Sequence, residues 1–142
     1  MSHSVPITPN EHRSPARHWA TFASGVLLVL GILTMLRSGT GEWDVVHARE
    51  VFVWPGHFLT GVAELVIGFT GIWCATRESL TRGWLTVSGV FMVAWAVAGV
   101  VLDGDPNDVF TADPALLAIH GGGGLVSLAL AAWSAARPPR EP

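Results

Sequence analysis

Charge is scarce in this chain. Only 13% of its 142 residues are charged, against about 25% in a typical soluble domain. Lysine is absent, so arginine supplies all eight cations. The net charge of −3 excludes the basic surface that nucleic-acid binding requires. The single cysteine, Cys74, cannot form a disulfide within the chain. It stands in an apolar run and reads as a packing residue. The sequence also lacks a nucleophile–base constellation, a zinc-protease motif and a dinucleotide fingerprint. No catalytic residue can be named, and the chain does not read as an enzyme. Nor are residues 1–18 expected to act as a secretory signal: they are polar and carry Pro6, Pro9 and Pro15, where a signal would place a short apolar stretch and a cleavage site. Residues 1–16 are expected to form a disordered cytoplasmic tail, and 138–142 a second short one.

Apolar sequence, by contrast, is abundant. Half the residues are hydrophobic and the mean hydropathy is positive. One small core cannot hide that much apolar surface, so the surplus must face lipid or a partner. Four runs carry it: 19–36, 51–76, 83–102 and 115–136. Each is near the ~20 residues that a helix needs to cross ~30 Å of hydrocarbon. None alternates as a barrel strand would, and a helix satisfies its own backbone in lipid. The expected fold is all-α, a four-transmembrane-helix bundle occupying residues 17–137.

Arginine placement sets the orientation. Arg13 and Arg17 precede the first run, Arg77 and Arg82 flank the turn between the second and third, and Arg137 and Arg140 follow the fourth. By the positive-inside rule that side is cytoplasmic, which puts both termini there and makes the protein a multi-pass component of the cell membrane. The opposite side holds Arg37 and Arg49 among acidic residues, including the connector from Asp103 to Pro114. Trp19, Trp73, Trp84 and Trp133 fall toward the inner ends of their runs, with Trp43 and Trp54 at the outer face, as in an aromatic belt. Trp95 falls midway along the third run.

The two halves resemble each other. Ser24-Gly25-Val26 matches Ser88-Gly89-Val90. The second run reads His57, Gly61, Glu64, Gly68, Gly71, and the fourth reads His120, Gly124, Ser127, Ala131, Ser134, both in steps of four and three. The expectation is two duplicated helical hairpins with parallel topology. Each stripe lies on one helix face, and its small residues permit close helix packing in the bundle interior. Gly61, Gly68 and Gly71, with the run Gly121, Gly122, Gly123 and Gly124, are therefore packing candidates.

Glu64 is the sharpest feature. An ionisable side chain near the middle of a span costs a few kcal/mol and usually has a partner or a task. Ser127, its counterpart in the alignment of the halves, is the expected hydrogen-bond partner of a protonated Glu64. A proton, ion or substrate role is the other reading. His57 and His120, at matched depth in that alignment, could hold the iron of a haem b from opposite faces, or could be interfacial histidines bonded to backbone or loop carboxylates. Glu64 cannot join His57 in one metal site: seven residues of helix place them ~10 Å apart along the axis, whereas zinc bonds are ~2 Å. His47 could complete a shallow outer site with the two histidines, but no metal centre is expected.

At His57-Phe58-Leu59-Thr60-Gly61 and His120-Gly121-Gly122-Gly123-Gly124 the chain resembles an uncharacterised family of bacterial four-helix membrane proteins. In that family the second and fourth helices open with Asn-x-x-His-Leu-x-x-Gly-like motifs. Trp54 and Leu117 stand in place of the asparagine here, and Phe58 and Gly121 in place of the leucine. The stretch Gly25-Val26-Leu27-Leu28-Val29-Leu30-Gly31 is similar to the acid-resistance family built from hairpin repeats, which usually has six helices. The resemblance implies a bacterial inner-membrane location and brings no activity. The leading reading is a non-enzymatic membrane protein without a cofactor, an accessory subunit or stress-related component. Its partners would be the lipid bilayer and either other membrane subunits or further copies of itself. A small b-type cytochrome and a proton-linked transporter are the alternatives.

Overall fold

The computed structural model describes residues 14–38, 49–51, 54–56, 58–102 and 114–136. Four helices make up the bundle: α1 (Pro15–Ser38), α2 (Phe58–Cys74), α3 (Glu78–Val101) and α4 (Pro114–Ala135). Among the described residues the fold is all-α apart from a short ribbon. In it β1 (Arg49–Val51) pairs antiparallel with β2 (Trp54–Gly56), Val51 opposite Trp54.

Local chemistry moves the helix ends from where hydropathy alone puts them. The first helix begins at Pro15 rather than Trp19. Ser14 caps it by accepting the Arg17 N–H at 3.3 Å, and proline suits the first helical position because its missing N–H is not needed there. Residues 15 and 16 thus belong to the helix, not to the tail. Residues 1–13 and 138–142 of the expected tails lie outside the described residues, as does residue 137.

The second helix is a larger correction. It was expected over 51–76 but starts only at Phe58. Pro55 cannot donate to a helical ladder and Gly56 resists ordering. The β-branched and aromatic residues before them favour a strand. At 17 residues and 1.5 Å each, α2 is about 26 Å long, at the lower end of what spans a bilayer. The other three helices are long and apolar enough to cross a membrane.

One end of the bundle is pinned by polar contacts. Arg17 Nε donates to the Ala75 carbonyl at 2.9 Å and its Nη2 to Thr76 O at 3.2 Å. A cation is well placed at the negative end of α2. The Ser14 hydroxyl lies 2.8 Å from each Glu78 carboxylate oxygen, and the buried Thr81 hydroxyl bonds Cys74 O and Arg77 O across the turn. The start of α1 and the α2–α3 turn therefore share one end of the bundle.

Burial is inverted relative to a soluble protein. Phe69 is 72% exposed and Phe22 62%, whereas Ser24, Thr60, Glu64, Thr81, Ser88, His120 and Ser127 are all buried. Apolar side chains face outward, as lipid contact requires, and polar groups turn inward to find partners. Two of the belt tryptophans follow the second rule. Trp84 is buried with Nε1 donating to Ile67 O at 3.2 Å, and Trp19 donates to Ser127 Oγ at 2.9 Å. Trp73 and Trp133 remain exposed.

α1 packs chiefly on α2, and α3 on α4. Glycine sets how closely. A Cβ on Gly68 would stand 2.8 Å from Ser24 O, and one on Gly124 would stand 2.9 Å from Gly89 O. The halves differ in register. Gly31 packs on Gly61, while Gly25, the counterpart of Gly89 in the internal alignment, has nothing near its Cβ position. Replacing Gly68 or Gly124 by valine should cost about 1–3 kcal/mol of overpacking, whereas Gly25→Ala should change stability by less than about 0.5 kcal/mol. Reversible unfolding in mixed micelles checks both; equal losses at all three sites would contradict this packing.

Candidate functional site

α2 presents Thr60, Gly61, Glu64, Gly68 and Gly71 to the interior. α4 presents Leu116, His120, Gly124, Ser127 and Ala131. The steps of four and three along α4 include two consecutive fours, which would drift off one face of a regular helix. A π-helical turn at Ala118–Gly122 takes more residues per turn than the 3.6 of an α-helix and holds the row in line. His120 sits inside that turn and points at α2 across the bundle centre.

The consequence is a contact between two buried titratable side chains. His120 Nε2 lies 3.4 Å from Glu64 Oε1, with the side chains 6% and 4% exposed. The other ring nitrogen, Nδ1, lies 3.0 Å from the Leu116 carbonyl. A carbonyl only accepts, so Nδ1 carries a proton and Nε2 is left to deal with the carboxyl. Two arrangements satisfy both partners. Glu64 can be protonated and donate to the Nε2 lone pair, or Nε2–H can donate from an imidazolium to the carboxylate. Each has one proton between the two groups and zero net charge. Removing that proton leaves a buried anion and adding one leaves a buried cation; both are costly in this medium.

The second carboxyl oxygen is different. Glu64 Oε2 is buried and has no hydrogen-bond partner. Glu64 also lines a small apolar-walled cavity of about 10 Å³, together with Thr60, Phe91, Trp95 and His120. That is room for one water-sized group. Phe91 and Trp95 are tilted against each other, their ring centroids 5.4 Å apart.

Several expectations are corrected here. Ser127 is not the partner of Glu64: its hydroxyl accepts from Trp19 and donates to Gly123 O at 2.8 Å. Nor do the aligned positions share a depth, since Glu64 is level with His120 and not with Ser127. Each hairpin settles where its own glycines allow close approach, and those registers differ. His57 and His47 lie outside the described residues. Axial haem ligation needs a histidine nitrogen aimed at a gap the size of a macrocycle. Nε2 of His120 instead faces Glu64 Oε1, and in this arrangement it is not turned toward such a gap. Of the glycine run, Gly124 makes a close backbone contact, Gly121 and Gly123 are in looser contact, and Gly122 borders open space. Among the described residues, no three potential metal ligands come together.

Sequence reasoning named both Glu64 and His120 but missed their pairing. The signal available was chemical: two ionisable groups in spans with no arginine at that depth must compensate each other or stand alone.

Three apolar helices of spanning length around a polar interior define a helical membrane protein. No protein-family model matches the chain, and neither a curated protein nor a solved structure matches it.

Breaking a buried pair strands its partner, so His120→Ala should destabilise the bundle by about 3–5 kcal/mol, and adding Glu64→Leu should recover much of that loss. A double-mutant cycle by unfolding in mixed micelles measures the coupling. Strictly additive losses would mean that the two side chains do not interact.

Proposed function

We propose that this chain is a non-enzymatic, four-span membrane protein whose working element is the Glu64–His120 pair, which binds and releases one proton inside the bilayer. The observation that carries the reading is the pairing itself. Two ionisable groups are buried together in the centre of a bundle, where hydrophobic residues would pack at lower cost. A purely structural tie is better made by neutral groups, as the Trp19 indole N–H and the Ser127 hydroxyl do in the same bundle. The π-helical turn around His120 supports the reading, since such turns recur at functional positions.

The protein is placed in the cytoplasmic membrane with both termini on the cytoplasmic side. Arg17 bonded to the α2–α3 turn, with Arg77 and Arg82 beside it, supports that orientation under the positive-inside rule. The two hairpins are read as copies that have slid in register: Ser24 and Ser88 are both buried at matching places, yet the glycine contacts differ. A proton-responsive subunit of a larger assembly and a self-contained proton-linked carrier both fit the pair.

Two experiments test this. In nanodiscs, the difference between the acid–base titrations of the native chain and Glu64→Gln should amount to one proton per chain; superimposable curves would remove Glu64 from proton binding. A cysteine at position 105 should react with an impermeant reagent only from outside the cell, and labelling only from the cytoplasm would invert the topology.

A further inference from the structure

We propose that the Glu64–His120 pair is a latch between the two helical hairpins: loss of its proton lets α2 and α4 part about a pivot at the α2–α3 turn. The inference rests on the proton-binding reading of the pair and adds the movement that the proton controls.

Three observations carry it. First, the tightest packing lies within each hairpin. A Cβ on Gly61 would stand 3.1 Å from Gly31 O, and one on Gly68 2.8 Å from Ser24 O, so α1 and α2 interlock. Gly89 and Gly124 lock α3 to α4 in the same way. These contacts contain no titratable group, and a change of protonation leaves them intact.

Second, the seam between the hairpins is not closed by side chains. A cavity of about 300 Å³ lies between α1, α3 and α4, walled by Trp19, Phe22, Val26, Leu27, Met92 and Ile119 among others. Close-packed elements move as rigid bodies, and the boundary between them yields first.

Third, the hairpins are fastened at one end. Residues 75–77 are their covalent link. Beside it the Ser14 hydroxyl meets Glu78, Thr81 Oγ donates to Cys74 O at 3.0 Å, and the Trp84 ring lies against Gly71. Trp84 Nε1 bonds Ile67 O and Trp19 Nε1 bonds Ser127 Oγ. All of these ties lie on the turn's side of Glu64 and His120.

The pair joins α2 to α4, one helix from each hairpin, across 3.4 Å. With one proton it carries a hydrogen bond and no net charge. Without that proton, Nδ1–H stays on Leu116 O and the Nε2 lone pair faces a carboxylate oxygen. Two acceptors then oppose each other, and an anion is left in the seam. Hydrocarbon solvates that anion poorly and water solvates it well. Parting α2 and α4 admits water, and the fastened end confines the parting to the other half of the bundle. The latch is therefore closed at low pH and opens as pH rises through the pair's titration. No other titratable group stands at this level. α1 presents Leu27 there, and α3 presents Phe91 and Trp95. Arg17, His18 and Arg37 of α1 and Glu78 and Arg82 of α3 stand near helix ends, Cys74 is ten residues on from Glu64 in α2, and α4 has no second titratable residue.

The test measures distances between spin labels on the full chain in nanodiscs, in a Cys74→Ala background. Leu59→Cys with Ala118→Cys reports the free half, and Thr70→Cys with Ala132→Cys the fastened half. As pH rises through the titration, the first distance should lengthen by about 2 Å or more while the second holds. Glu64→Leu combined with His120→Leu removes both the proton and the charge and should fix the first distance at every pH. Should that variant fail to fold, the chain with the pair intact still decides, because its first distance must follow proton release. An unchanged distance in a chain that releases its proton would overturn the latch and leave the proton site standing. Equal lengthening at both label pairs would overturn the pivot, and the latch with it. A chain that releases no proton would overturn both the latch and the proton site.

Discussion

A carboxyl group at the centre of a lipid-facing bundle must be neutral or be neutralised, and the interior follows from that constraint. Glu64 is 3% exposed and meets His120 across the bundle centre. His120 in turn can face Glu64 because a π-helical turn redirects that part of α4 and because Leu116 O holds its other nitrogen. The pair is therefore supported from behind. Its proton has two places to reside, and both keep the charge at zero.

Around that centre the bundle is held by close backbone approach rather than by apolar burial. Lipid tails are as apolar as leucine, so expelling Phe22 or Phe69 from the interior costs nothing. What the helices gain from one another comes from van der Waals contact at Gly31, Gly61, Gly68, Gly89 and Gly124 and from hydrogen bonds such as Trp19 to Ser127. The arginine clamp from Arg17 to the α2–α3 turn fixes one end, and the glycine registers then determine which side chains meet at the centre.

Much of this was legible in the sequence. Hydropathy alone located four helices, because long apolar runs in so short a chain have few other solutions. The small-residue stripes on α2 and α4 pointed inward as their periodicity implied, since helical spacing is a local property. The strands at 49–51 and 54–56 straddle the start of an apolar run, and only Pro55 and Gly56 hinted at them. The Glu64–His120 contact was hidden for a different reason. Depth was inferred from the internal alignment, and an alignment cannot register a slide of one hairpin against the other. The π-helical turn is likewise a tertiary outcome, available to Gly121–Gly124 but not dictated by them.

The most direct test of the central claim is the nitrogen NMR spectrum of selectively labelled His120 in lipid, compared between the native chain and Glu64→Gln. The account predicts an Nδ1 that stays protonated in both and an Nε2 whose resonance shifts markedly when the carboxyl is replaced. A ring protonated at Nε2 and bare at Nδ1, or an Nε2 resonance indifferent to Glu64, would contradict it.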